Sequence, residues 1–313
     1  MIPKYITLKE KINEEILRGN FPLGSKLPTE NQLASQYKVS RSTIRQALEL
    51  LEADGIIAKK WGSGNTIISK SDNSKKKTVM LIVPDLKREP ICQCVDDITT
   101  ILLKNGFQIE CHETKNQLSK EREALSLMLN DVYGGLLIIP AQSSFPSINK
   151  DIIQQLLKRQ TPIIFINSLL NGITGAPMVE LNNYSKGYQM ARSLINSGHK
   201  KLGGVFIYDD MASVKSFSGF TDAIRDANLE IFDDCFLWCN SKESTGSMNR
   251  FFKHAISKVS CIYLDDDLIA TDGTFPVYYC TLAPGRPLGK EITHAFLTLK
   301  KNGSCKSVTI PYK

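Results

Sequence analysis

Two arginines four residues apart, Arg41 and Arg45, follow a serine and precede a run of leucines in KVSRSTIRQALELLEADG, residues 38–55. A guanidinium offers five N–H donors in a planar fork and no acceptor, so a pair of arginines suits the base edges or phosphates of a nucleic acid, or forms no more than a solvated basic face. A helix that begins at Ser40, whose hydroxyl accepts an orphan N–H of the first turn, and stops at Gly55 decides where they point. At about 100° per residue, Ile44, Ala47, Leu48 and Leu51 share one arc, while Arg45, Ser42, Gln46, Glu49 and Glu52 fill the other. The apolar arc buries and the arginines face out.

Other constellations carry less chemistry. Cys92 and Cys94 form C-x-C, and Cys235 and Cys239 form C-x3-C with His254 and Cys261 downstream. A structural zinc site needs four ligands in tight pairs, and these residues fall on expected helices and strands, so they read as reduced core thiols. Asp265, Asp266 and Asp267 end an apolar run and either hold Mg²⁺ or cap the next turn; capping is the reading taken. WGSGN lacks the strand, loop, helix and lysine of a phosphate-binding loop. His112, His199, His254 and His294 have no nucleophile elbow beside them. The sequence therefore predicts neither catalysis, nor a cofactor, nor a metal.

A chain of 313 residues that is 42% hydrophobic is long enough for two or three domains with real cores. It contains no run of 18 apolar residues to span a bilayer, and its start, MIPKYITLKEK, lacks the apolar stretch of a signal peptide, so a cytoplasmic chain with eight reduced cysteines and no membrane partner is expected. The net charge of +7 is unevenly placed. Residues 1–77 hold 14 Lys and Arg against 8 Asp and Glu, the remaining 236 residues 25 against 24. The first quarter thus points to an anionic partner, most often nucleic acid, with an acidic protein or a membrane surface as alternatives.

The elements around the arginines fit that partner. Ile6, Leu8, Ile12, Ile16 and Leu17 predict a first helix ending at Gly19, and GNFPLGSKLP a turn-rich connector. Thr29 with Gln32 forms a capping-box pattern that opens a short helix to about Tyr37, three residues before the Arg41 helix. Two short helices joined by a tight turn make a helix-turn-helix. IIAKK and TIIS flanking WGSGN then read as a hairpin, which makes the motif winged.

LPTENQLASQYKVSRSTIRQALELLEADGII with its GSG tip resembles the DNA-binding domain of the GntR family of bacterial regulators over about residues 3–68. The resemblance implies that Arg41 and Arg45 enter the major groove, where an arginine fork donates twice to guanine, or that one of them holds a phosphate. It assigns Lys4, Thr29, Glu30, Ser42, Thr43, Gln46 and the wing residues Trp61, Gly62, Ser63 and Gly64 to the same interface, mostly on phosphates.

KSDNSKKK, residues 70–77, has the composition of a solvated linker. Beyond it TVMLIV, FQIEC, GLLIIP, PIIFIN, MVEL, LGGVFI, FLW and CIYL alternate with helical patterns, including one around Phe251 to Ile256. Such alternation predicts parallel sheets covered on both faces. VPDLKREP, LNNYSKGY, SGHKKLGGV, FSGFTDA and TLAPGRPLGK make this region similar to the two-lobed periplasmic-binding-protein-like domain of the LacI family, and the whole chain similar to the arabinose repressors of Gram-positive bacteria. The expected organisation is a winged helix-turn-helix over 1–69, a linker over 70–77, and an α/β effector and dimerisation domain over 78–313.

In such folds a ligand lies between the lobes, beyond the carboxyl ends of the strands. Asp85, Gln142, Asn167, Ser168, Asn183 and Asp265 are therefore the expected ligand contacts, and their polar groups suit a sugar. Two departures qualify this. Ser216 stands where the family places an arginine, with Lys215 beside it, and IATDGTFPVYY replaces a helix, a strand and an acidic loop, so the second lobe is shortened. The ligand expected on this basis is an acidic or phosphorylated sugar bound through Lys215. The function expected is a homodimeric, sequence-specific repressor of carbohydrate-utilisation genes, released from operator DNA by a small ligand. The alternatives are a regulator that has lost sugar sensing, or a metabolite-binding protein or enzyme recruited to DNA.

Overall fold

The computed structural model describes residues 4–60, 64–68, 75–87, 91–241, 251, 254–255, 257–265, 277–280 and 282–313. The N-terminal part contains α1 (Lys4–Leu17), α2 (Glu30–Tyr37) and α3 (Arg41–Ala53), followed by β1 (Ile57–Lys60) and β2 (Gly64–Ile67), paired antiparallel with Lys60 opposite Gly64. The local signals work as their chemistry dictates. Thr29 accepts from the Gln32 amide while the Gln32 side chain accepts from the Thr29 amide, closing the capping box, and Ser40 accepts from the Thr43 amide. Gly19 and Gly55 take positive φ at the ends of α1 and α3, where a Cβ would be strained. Ile44, Ala47, Leu48 and Leu51 of α3 bury against Leu8, Ile12 and Ile16 of α1 and Leu33 of α2. Truncating a fully buried member such as Leu51 to alanine removes about 2–5 kcal/mol by the usual transfer and cavity costs.

The rest of the chain forms two lobes. The first is built from β3 (Thr78–Val83), α4 (Ile91–Lys104), β4 (Gln108–Glu113), α5 (Leu118–Asn130), β5 (Gly135–Ile138), α6 (Lys150–Lys158), β6 (Ile163–Ile166) and β7 (Met178–Leu181). The second takes α7 (Asn183–Asn196), β8 (Leu202–Ile207), α8 (Met211–Asp226), β9 (Phe236–Cys239), β10 (Cys261–Leu264) and β11 (Val277–Tyr279), after which α9 (Leu288–Asn302) and β12 (Val308–Ile310) return to the first. The two sheets, ordered β12-β7-β6-β5-β3-β4 and β11-β10-β8-β9, are parallel at every pairing. Every residue of β3, β5, β6, β8 and β10 is buried, as expected of strands covered on both faces.

Two sequence expectations change here, and a third falls mostly outside the described residues. The last residues of IATDGTFPVYY form β11, so the shortened second lobe keeps a strand beside β10, while residues 266–276 lie outside the described ones. Most of the helix expected around Phe251 to Ile256 also lies outside them. The end of the expected linker is not free: Lys75–Lys77 make a 3-10 turn, and Lys76 Nζ lies 3.2 Å from Asp54, which also takes Lys9 at 2.5 Å. The end of α3 is thereby tied to the segment that leads into β3.

Candidate functional site

On α3 the exposed residues are Arg41, Ser42, Arg45, Gln46, Glu49, Glu52 and Ala53, so the amphipathic helix does turn its guanidinium groups to solvent. Lys4 is exposed at the start of α1 and Gly64, at φ +83°, opens β2. The two arginines are held differently. Arg45 donates from Nη2 to Glu30 Oε2 at 3.0 Å and from Nε to Oε1 at 3.4 Å, and that bond, with the nearby charges, holds the Glu30 carboxyl below its ordinary pKa against a smaller burial effect. Thr29 is engaged in the capping box, and Ser42 and Thr43 each place a hydroxyl 2.8 Å from that of Ser40. Trp61, Gly62 and Ser63 lie outside the described residues.

The carboxyl ends of strands in both lobes face one cavity of about 680 Å³. Asp85 after β3, Asn116 after β4, Ser143 after β5 and Asn167 and Ser168 after β6 line one side; Asn183, Lys186, Asp209 and Asp265 line the other, with Tyr312 after β12. This is where an open α/β sheet binds ligands, because loops diverge there and leave a crevice. Local hydrogen bonds shape two of the loops that form the wall. Asn167 takes φ +61° and its Oδ1 accepts from the Leu181 amide, which carries the β6 loop across to β7. Glu121 of α5, fully buried, accepts from the Ala141 amide at 2.6 Å and from Asn149 Nδ2 at 2.8 Å, and so fixes both ends of the loop that bears Ser143; burial raises its pKa against those two bonds.

The lobes also touch each other in front of the cavity. Asn116 Nδ2 donates to Asp209 Oδ2 at 2.7 Å and to Ser241 Oγ at 2.8 Å, Ser143 Oγ accepts from the Met211 amide at 2.9 Å, and Ser144 Oγ donates to the Tyr208 carbonyl at 2.5 Å. The Phe145 and Tyr208 rings meet at 6.0 Å beside these bonds. The two lobes are therefore joined by direct protein contacts beside the cavity.

At its floor lies a buried ion pair. Lys186 Nζ lies 2.8 Å from Asp265 Oδ1, with side chains 10% and 4% exposed, and the same oxygen accepts from Ser216 Oγ at 2.6 Å and Tyr263 Oη at 3.0 Å. Burial alone would lower the Lys186 pKa, but the charges of Asp265 and Tyr312 and the bond to Asp265 outweigh it and leave it raised. Tyr312 is pushed up to about 12, chiefly by burial, and its hydroxyl donates to Asn183 Oδ1 at 3.3 Å. α7 and α8 approach closely enough for this because Gly187 and Gly219 face the other helix's backbone: a Cβ on either would come within 1.9 Å of a carbonyl oxygen.

Five of the expected ligand residues, Asp85, Asn167, Ser168, Asn183 and Asp265, converge on this cavity, and two do not. Lys215 is corrected: one residue before Ser216, it is rotated about 100° away on α8 and pairs with Glu180 Oε2 at 2.5 Å. Gln142 is also corrected, because it takes φ +49° and its side chain donates to the Asn116 carbonyl at 3.3 Å, supporting the wall from behind. The lining residues that the sequence did not point to include Asn116, Ser143, Asp209, Tyr312 and, with a buried charge, Lys186. Lys186 stands on the same face of α7 as the buried Asn183, Gly187 and Met190, and a lysine inside a buried arc is the signal that would have found it. Among the described residues no group of His, Cys, Asp and Glu is arranged to hold a metal, and no helix is long and apolar enough to cross a membrane.

The sequence matches two known families. Residues 4–67 fit the bacterial regulatory proteins of the gntR family, and residues 76–292 fit the periplasmic binding proteins and sugar binding domain of the LacI family. The arabinose metabolism transcriptional repressor of Halalkalibacterium halodurans is 25% identical over 280 residues, which is 86% of this chain and 74% of that protein. The repressor of the same name from Geobacillus stearothermophilus is 29% identical over 239 residues, 75% of this chain and 65% of that one. A solved structure, the complex of the transcriptional regulator CelR with cellobiose, superposes with a TM-score of 0.64 at 15% identity, over 92% of this chain and 98% of that chain, and shares the fold.

Proposed function

Because the chain belongs to the family of periplasmic binding proteins and LacI-type sugar binding domains and carries a gntR-family head, we propose that it is a transcriptional repressor of sugar-metabolism genes, released from operator DNA by a sugar bound between its lobes. The observation that carries this is one chain joining an exposed Arg41 on a winged helix-turn-helix to a polar cavity at the strand ends of two lobes. The relatives named arabinose metabolism transcriptional repressor support the same reading. The protein acts in the cytoplasm, without catalysis, as a homodimer whose two heads read two half-sites about one helical turn apart.

On the DNA, Arg41 and Arg45 read base edges or anchor phosphates, and Lys4, Ser42, Thr43, Gln46 and Gly64 position the head. Trp61, Gly62 and Ser63 complete the interface at the wing, while Thr29 and Glu30 act through their bonds to Gln32 and Arg45. In the cleft, Asp85, Asn167, Ser168, Asn183 and Asp265 supply hydroxyl partners. Ligand shifts the population of lobe arrangements, and the tie between Asp54 and Lys76 carries that shift toward α3. Gel shifts of the full chain on DNA upstream of its own and neighbouring genes, repeated with a panel of sugars, test the proposal. Selective retardation of one fragment, reversed by a sugar, is expected; equal binding to every fragment contradicts it.

A further inference from the structure

Within that cleft the unusual feature is a charge pair that lines a ligand cavity while satisfying itself. Lys186 and Asp265 both line the cavity and are paired at 2.8 Å, and Asp265 also accepts from Ser216 and Tyr263. Asp265 Oδ1 takes all three donors, so among the described residues Oδ2 has no hydrogen-bond partner. An ammonium carries three N–H donors, of which Lys186 commits one to Asp265. One strong acceptor and spare strong donors therefore stand side by side, already desolvated and fixed in place.

We propose that Lys186 and Asp265 form a clamp for a vicinal diol and that it makes this cleft select an uncharged sugar over its phosphate ester. This inference rests on the cleft being the effector site. One ligand hydroxyl donates to Asp265 Oδ2 and its neighbour accepts from Lys186, so each hydroxyl meets a charged partner, the stronger kind of hydrogen bond. The pair is neutral as a unit and offers no net attraction to an anion. The remaining lining adds to that: Asp85, Glu113, Asp209 and Asp210 face Lys87 and Lys115, so carboxylates exceed ammoniums in the cavity. In a partly desolvated space a phosphate meets uncompensated negative charge. The geometry also explains Ser216. A small hydroxyl residue there leaves room for the Lys186 chain from α7 and gives its own bond to Asp265, so the cation of the site arrives from a different helix than Lys215.

Titration calorimetry of the full chain with L-arabinose, D-xylose, D-ribose and cellobiose, and with D-arabinose 5-phosphate and D-ribose 5-phosphate, tests this. At least one uncharged sugar is expected to bind, and the phosphate esters to bind at least about tenfold more weakly or not at all. The double variant K186M/D265N, in which neither partner is left as a lone buried charge, should lose about a hundredfold in affinity for that sugar while keeping operator binding and its melting temperature. Tighter binding of a phosphate ester, unchanged sugar affinity in the double variant, or no binding by any uncharged sugar overturns the clamp. The ester comparison needs no variant, so it decides the matter even if the double variant does not fold. Failure of operator binding would instead overturn the repressor reading, which the sugar titration does not touch.

Discussion

Two ion pairs of nearly equal length sit in opposite surroundings in this molecule. Arg45 and Glu30 meet at 3.0 Å on the head with side chains 60% and 31% exposed, whereas Lys186 and Asp265 meet at 2.8 Å in the cleft at 10% and 4%. An exposed pair sits in high dielectric, contributes little to stability and separates readily when a stronger partner arrives. That fits the role proposed for Arg45, in which its guanidinium exchanges the resting carboxylate for a phosphate or a guanine. A buried pair has already lost its water, so neither member can part without leaving an uncompensated charge. That suits a fixed recognition feature for an uncharged ligand. Distance alone therefore says little about what a salt bridge is for, and burial says most of it.

Four measurements bear on the difference between the two pairs. Lys186→Met alone strands Asp265 in the interior and should cost about 3–5 kcal/mol of unfolding free energy, read by urea denaturation; a loss under about 1 kcal/mol would mean that the pair is wetter than its exposure implies. Next, raising salt from 50 to 200 mM should weaken operator binding by on the order of a hundredfold through counterion release, while sugar affinity stays flat. A sugar affinity that falls in parallel would place screened, exposed charge in the cleft. Third, Arg41→Ala should cost about 1–3 kcal/mol on the operator and less on random DNA, with Lys4→Ala weakening both alike.

The smallest effect belongs to Glu30. Its pKa is lowered in the folded state, first by the hydrogen bond from Arg45. A depressed carboxylate contributes stability above its unfolded pKa and loses it as pH falls through the folded value. Wild type and Glu30→Gln should therefore melt within a degree or two of each other near neutrality and converge further in acid below about pH 4.5. A gap that widens with acidification would reverse the sign and remove the pair from the head's resting state.

The head was legible from its sequence because its determinants are local. Ser40, Thr29 with Gln32, Gly55 and the i, i+3, i+4 apolar arc act within a turn or two, and each is found where its spacing places it. The strands of both lobes were legible for the same reason, since buried parallel strands read as short apolar runs. The cleft was legible only in part. The ends of strands gave Asp85, Asn167, Asn183 and Asp265, but the partners that define the chemistry lie 79 residues apart for Lys186 and Asp265, and 93 for Asn116 and Asp209. Lys215 misled because it is next to Ser216 in sequence; on a helix, adjacent residues face different neighbours. Beyond TLAPG the sequence pattern assigned no elements, yet α9 packs on α4 and β12 completes the first sheet beside β7.

The division of labour between the two regions meets its most direct test in one titration: fluorescence anisotropy of labelled operator DNA against the full chain, wild type and K186M/D265N, with and without the uncharged sugar that binds best. Both proteins should hold the operator equally in the absence of sugar, and only the wild type should let go when it is added. Release of both proteins at the same sugar concentration, or a double variant that no longer holds the operator although it is folded, would contradict a head that reads DNA and a buried pair that reads the sugar.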